Sequence, residues 1–156
     1  MERTLTILKP DSVSAGKAGA ILAHLEKEGF RILGMRKTRL ATEQARAFYA
    51  VHKERPFYDA LVKFMTEGPV VVAALEREDA VPHLRRTMGA TDSRKAEPGT
   101  IRGDYGVSNS FNLIHGSDSP ESAARELGLF FKADELLDWT PAGQVWVYDM
   151  SKGQPE

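Results

Sequence analysis

With 156 residues and 17.3 kDa, the chain has the length of one ordinary domain. Its 21 basic and 22 acidic side chains nearly cancel, so no global charge excess advertises nucleic acid or an anionic membrane as partner. Cysteine is absent, which excludes thiol catalysis, iron–sulfur clusters and thiolate zinc sites. No signal-like N-terminus and no bilayer-length apolar run appears, so a cytoplasmic address without membrane attachment is expected.

Residues 4–9 are short and β-branched and stop at Pro10-Asp11, which predicts a first strand ending in a turn. Ala18, Ile21, Leu22 and Leu25 then fall at helical spacing, with Gly29 placed to end the helix. A second strand is expected over 31–40 and a helix over 42–52, with Thr42 as its N-cap. Pro56 is read as opening the next helix, in which Phe57, Leu61, Phe64 and Met65 repeat inward. Gly68-Pro69 stops it. The unbroken apolar run 70–75 predicts a strand buried on both faces. Asp79 is placed to cap a helix running to Met88, with Val81, Leu84 and Met88 facing in. From Gly89 to about Asn112 periodicity dissolves into a long loop, and loops of this length in compact domains are usually functional. A short strand over 113–116 follows, then a helix opened by Ser119-Pro120 with Ala123, Leu127, Phe130 and Phe131 facing in. This order predicts an α/β (α+β) fold: a ferredoxin-like βαββαβ sandwich on a four-stranded antiparallel sheet, with the long loop and a C-terminal extension added.

Two regions carry chemistry. Between positions 85 and 102 five basic residues (Arg85, Arg86, Arg94, Lys95, Arg102) stand against Asp92 and Glu97, among glycines and hydroxyls. Forked guanidinium donors and unobstructed amides suit phosphate oxygens; a merely solvated loop is the plain alternative. Arg85 falls at the edge of its helix's apolar stripe, where its head can reach a cleft, whereas Arg86 points to solvent. The second region is the string 112–119, Asn-Leu-Ile-His-Gly-Ser-Asp-Ser. His115 stands at a strand exit, and Glu126 flanks the buried stripe of the following helix, so that a carboxylate and a hydroxyl could orient the imidazole as nucleophile or general base. His24, His52 and His83 lack such company and are read as structural or surface residues, and Phe57 by itself reads as a core aromatic. No P-loop, protein-kinase glycine loop or metal-ligand motif appears.

Taken in order, the strings Glu2-Arg3-Thr4, Lys9-Pro10-Asp11, Glu28-Gly29-Phe30, Arg55-Pro56-Phe57, Gly68-Pro69-Val70-Val71, Met88-Gly89-Ala90-Thr91, Pro98-Gly99-Thr100-Ile101-Arg102-Gly103-Asp104 and Asn112 to Ser119 resemble nucleoside diphosphate kinase over residues 3–148. The resemblance implies a ping-pong transfer of the γ-phosphoryl group from a nucleoside triphosphate to a nucleoside diphosphate through a phosphohistidine at His115. It implies that Glu126 orients the imidazole, that Ser117 supports Glu126 and that Tyr49 lies near the histidine. Arg85, Thr91 and Arg102 match phosphate ligands, Lys9 and Asn112 match residues at the ribose hydroxyls and terminal phosphates, and Phe57 matches the aromatic on which the base stacks. Mg²⁺ is implied as cargo of the nucleotide, with no metal ligand supplied by the chain. Three positions depart from the family pattern: Ser12, Ser93, expected to loosen the long loop, and Asn109, expected to weaken the base clamp. The aromatic C-terminal segment, with Trp139, Trp146 and Tyr148, implies a homohexamer in preference to a tetramer, with 150–156 as a disordered tail. A nucleic-acid-binding ferredoxin-like module is the alternative: 102–107 superficially resembles a ribonucleoprotein motif, but Asp104 and the shifted register break it.

Overall fold

A computed structural model describes residues 1–141. Trp146, Tyr148 and the expected tail from Met150 lie outside the described residues.

Four strands, β1 (Glu2–Leu8), β2 (Arg31–Thr38), β3 (Val70–Arg77) and β4 (Ile114–Gly116), form one sheet in the order β2-β3-β1-β4. Every neighbouring pair is antiparallel, the topology expected of a βαββαβ chain. Among the described residues seven helices surround it: α1 (Pro10–Ser14), α2 (Ala18–Lys27), α3 (Thr42–Phe48), α4 (Tyr58–Thr66), α5 (Ala80–Met88), α6 (Ile101–Tyr105) and α7 (Pro120–Phe130). The sheet carries a core on each face. Val71, Ala73 and Leu75 of β3 join Leu8, Ile21, Leu25, Leu84 and Met88 on one side. Val70 and Val72 join Leu5, Ile7, Phe48, Val62, Met65 and Phe130 on the other. That two-sided burial is why β3 lacks polar alternation. The helices α3 and α4 inserted between β2 and β3, together with α7, are what close the second face.

The local signals fare unevenly. Ser119 caps α7 as expected, its hydroxyl accepting from the Ser122 amide at 3.1 Å. Thr42 does not cap α3: Ala41 holds that position, and the Gln44 side chain accepts from the Ala41 amide at 3.0 Å. Residues 50–52 leave α3 as a separate 3₁₀ turn. Pro56 does not open α4 either; Phe57 is its N-cap and half-exposed, because an aromatic at that place points away from the stripe formed by Val62 and Met65. Asp79 sits at the N-cap of α5 but in the left-handed region (φ 49°), with its carboxyl not capping. Glu2 takes over the task from the start of the chain, accepting from the Val81 amide at 2.8 Å. The long loop is ordered by a 3₁₀ turn at Ser93–Lys95 and by α6, whose N-cap Thr100 accepts from the Gly103 amide. Ser93 is buried, its side chain packed against Gly106, so it is a packed position of the loop.

The free edge of β2 receives the chain's return. The Leu137 amide donates to the Leu33 carbonyl at 2.8 Å, and the Trp139 indole donates to the Ile32 carbonyl at 2.9 Å. No helix among the described residues is long and apolar enough to cross a membrane.

Candidate active site

β4 delivers His115 to the sheet's end, and its neighbours explain why the string around it reads as it does. The Thr6 hydroxyl on β1 donates to the His115 carbonyl at 2.8 Å, tying the strand down from beside it. Gly116 is required by contact: a Cβ there would lie 2.6 Å from Met88 Sδ and 2.8 Å from Leu84 Cδ2. Just upstream Leu113 adopts φ 73°, a conformation that costs a bulky residue about 1–3 kcal/mol. It is held there by the Asp11 carboxylate, which accepts from its amide at 3.0 Å, and by its own carbonyl, which accepts from the Lys9 amide at 2.8 Å. The Lys-Pro-Asp turn thus builds the strand entry on which the histidine depends.

His115, Glu126 and Ser117 converge on one oxygen. Glu126 Oε2 lies 3.0 Å from His115 Nε2 and accepts from Ser117 Oγ at 2.6 Å, and the carboxylate is buried. A carboxylate can only accept, so Nε2 carries the proton and Nδ1 keeps a lone pair. Burial pulls the imidazole pKa below its usual value; Glu126 opposes that pull, and the Lys9 and Arg102 charges reinforce it. The ring is neutral at physiological pH. Phe48 meets it edge-on at 4.9 Å and Tyr49 at 6.5 Å between centroids, fixing its plane from the second core.

In front of the ring lies a cavity of about 240 Å³ whose walls include Lys9, Tyr49, Arg85, Thr91, Arg102, Asn112, His115 and Glu126. Eight of the ten residues singled out above therefore meet at one place. Ser117 sits behind, on Glu126. Phe57 lies outside the wall, but its exposed ring is 5.5 Å from that of His52, which lines the cavity. His52 was expected to be structural or superficial. It enters because the 3₁₀ turn after α3 carries it beside Tyr49, their rings stacked at 6.5 Å. Asp118 and Arg125 also line the cavity, Arg125 with its guanidinium 3.6 Å from Glu126 Oε1.

The polar residues play two roles at once. Arg102 is buried, with its guanidinium donating to the carbonyls of Asn112 (3.2 Å), Gly89 (3.0 Å) and Ile114 (2.8 Å). It staples the end of α5, the loop exit and β4 together while lining the cavity. Burial first, and the Arg85 charge second, bring it down to about 10. Asn112 accepts from Lys9 Nζ at 2.8 Å and donates to the carbonyls of Thr91 and Asn109. Lys9 is held down at about 8 by burial and then by Arg102, against the pull of Asp11. The Tyr49 phenol is buried without a hydrogen-bond partner among the described residues, and burial pushes its pKa up. Among the departing positions, Ser12 donates to the Lys9 carbonyl at 2.8 Å, and Asn109 is exposed, contributing its carbonyl to Asn112.

A neutral imidazole with one bare nitrogen, facing Lys9, Arg85 and Arg102, is equipped to take up a phosphoryl group. Comparison with known proteins decides the lineage: the nucleoside diphosphate kinase family matches residues 2–136. The chain belongs to the nucleoside diphosphate kinase family. A nucleoside diphosphate kinase of Halorhodospira halophila is 54% identical over 136 residues, covering 87% of this chain and 96% of that protein. One of Synechococcus sp. (strain JA-3-3Ab) is 46% identical over 149 residues, covering 96% of this chain and all of that protein. Among solved structures, a halophilic nucleoside diphosphate kinase from Halobacterium salinarum in complex with CDP superposes with a TM-score of 0.90 at 46% identity, covering 94% of this chain and 98% of that one. Nucleoside diphosphate kinases are phosphotransferases acting on nucleotides, and the reading as a nucleic-acid module is not favoured.

Proposed function

We propose that this enzyme moves the phosphoryl group in two half-reactions through His115. Nδ1 attacks the γ-phosphorus of a nucleoside triphosphate; the N–P bond forms as the bond to the β,γ-bridging oxygen breaks, and the diphosphate leaves with that electron pair. A terminal oxygen of a second nucleoside diphosphate then takes the group from Nδ1, restoring the free imidazole. Glu126, supported by Ser117, holds Nε2–H and offsets the positive charge that grows on the ring. Lys9, Arg85, Thr91 and Arg102 face the phosphates, and Tyr49 lies edge-on to the imidazole and helps to fix its plane. Asn112 and Lys9 stand toward the ribose, Phe57 offers its π-face to the base, and His52 lines the cavity between Tyr49 and Phe57. No cluster of three His, Asp or Glu side chains among the described residues suits a resident ion, and Glu126 is already engaged. On this reading Mg²⁺ would arrive with the nucleotide as part of the substrate and would offset the charge of the phosphates.

The observation that carries this reading is the imidazole fixed through Nε2 by a buried carboxylate, with Nδ1 free. Incubation with Mg²⁺ and ATP labelled in the γ-phosphate should leave an acid-labile, base-stable label on the protein. The His115→Ala variant should bind ADP and take no label; a labelled variant would refute the assignment. Because stacking on Phe57 reads no base edge, purine and pyrimidine, ribo- and deoxyribonucleotides should all be accepted. Phe57→Ala should weaken binding by only about 1–3 kcal/mol. We further propose a cytoplasmic homohexamer, supported by exposed Met35, Leu129 and Leu137 on the described surface; light scattering that gives a stable tetramer overturns that assembly.

A further inference from the structure

Beyond Arg85 and Thr91, which line the catalytic cavity, a second pocket of about 470 Å³ opens on the outer side of α5. The same two residues form its near wall, so the two spaces adjoin across one guanidinium and one hydroxyl. Its remaining charged lining is Arg86, Lys95 and Glu97: with Arg85, three cations against one carboxylate. None of the three cations forms an ion pair among the described residues; the nearest engagement is Arg86 Nη2, 3.1 Å from His83 Nδ1. Of the nearby acids outside this pocket, Asp92 is taken up by a bidentate pair with Arg94 at 2.9 and 2.7 Å, and Asp118, which feels the Arg85 charge, lines the catalytic cavity. Gly89 ends α5 with φ 85° and turns the chain so that the Ala90 and Thr91 amides follow, and neither donates to a backbone carbonyl among the described residues. The carbonyl end of α5 opposes an anion here, but Arg102 already occupies the Gly89 carbonyl at 3.0 Å. Concentrated, unpaired guanidinium and ammonium groups beside free amides in a concavity have the chemistry of a phosphate cradle.

We propose that this pocket is a second anion subsite that binds a linear oligophosphate, alongside a nucleotide in the catalytic cavity and sharing Arg85 with it. The phosphate chain could be inorganic or the tail of a second nucleotide. The assignment needs the pocket and its charges alone; only the sharing of Arg85 rests on the nucleotide site described above.

Calorimetric titration of the full-length protein with inorganic tripolyphosphate tests it. Binding should persist when the protein is saturated with ADP, and it should weaken steeply with salt. Arg86→Glu and Lys95→Glu should each weaken tripolyphosphate binding about tenfold, since each puts an anion where a cation faced the ligand, while leaving ADP affinity and thermal midpoint unchanged. Arms with excess ATP in place of tripolyphosphate separate the sources: a second equivalent of ATP lost in Arg86→Glu marks the nucleotide tail, and a single equivalent marks the inorganic chain. Tripolyphosphate binding that ADP abolishes, or that both charge reversals leave intact, would overturn the proposal and place the ligand in the catalytic cavity. Loss of labelling in His115→Ala bears on the transfer mechanism and not on this subsite.

Discussion

Glu126→Gln isolates the charge of the carboxylate behind the histidine while keeping its shape. In the native protein Oε2 receives both His115 Nε2 at 3.0 Å and the Ser117 hydroxyl at 2.6 Å. A glutamine can turn its amide oxygen to the same point, so both hydrogen bonds survive and only the charge is lost. Hydrogen bonds to a charged partner contribute about 1.5–3 kcal/mol and neutral ones about 0.5–1.5, so the expected loss of transition-state stabilisation is about 1–1.5 kcal/mol. That is about tenfold in kcat/KM. The same change moves the pH profile. Glu126 raises the His115 pKa against the lowering by burial, Lys9 and Arg102, so its removal lets the pKa fall further. The imidazole must be neutral to attack, and the acid limb of kcat/KM should therefore shift to lower pH in the variant. Coupled steady-state assays across pH, with rapid-quench measurement of the labelled intermediate, report both effects. A kcat/KM unchanged at the optimum, or an acid limb that moves to higher pH, would falsify the role assigned to the carboxylate.

Gly116→Ala should lower stability by about 1–3 kcal/mol, read as a lower thermal midpoint, and depress transfer by displacing His115, because its Cβ collides with Met88 and Leu84. Nucleotide KM should rise as pH passes about 8, where free Lys9 gives up its proton, and the phosphates should oppose that loss once bound; a KM flat through this range would argue against contact between Lys9 and phosphate. Glu2→Ala should cost about 0.5–2 kcal/mol in denaturant unfolding by uncapping α5, with labelling of His115 unchanged.

How far the sequence could be read depended on the range over which each signal acts. β3 and α7 were legible because an unbroken apolar run and a Ser-Pro start are local facts. The caps of α3 and α5 were not: Gln44 serves Ala41 from inside the helix, and Glu2 reaches α5 from a strand 79 residues away. No window around Asp79 contains that partner. α6 is a five-residue helix, too short to show a period, so the region from Gly89 to Asn112 read as bare loop. The chemistry-bearing residues were found through the motif strings, and the cavity gathers most of them. His52 escaped because its place depends on a 3₁₀ turn. What no string discloses is that Arg102 and Asn112 already make several backbone hydrogen bonds before any ligand arrives, so that they hold the loop as well as face the cavity.

The return of the chain onto β2 bears on the protein's behaviour in a crowded solution. β2 is an outer strand, and an outer strand with bare carbonyls is a template for any other extended chain. Here Leu137 and Trp139 occupy the carbonyls of Leu33 and Ile32, while Arg36 and Lys37 put charge on the stretch left open. One half of the edge is thus closed by the Leu137 amide and the Trp139 indole, so an extended chain approaching it there finds those two carbonyls taken. Residues 137–139, remote from His115, act in this way as a safeguard of solubility, and a chain cut short before them would keep its catalytic groups while gaining an adhesive margin.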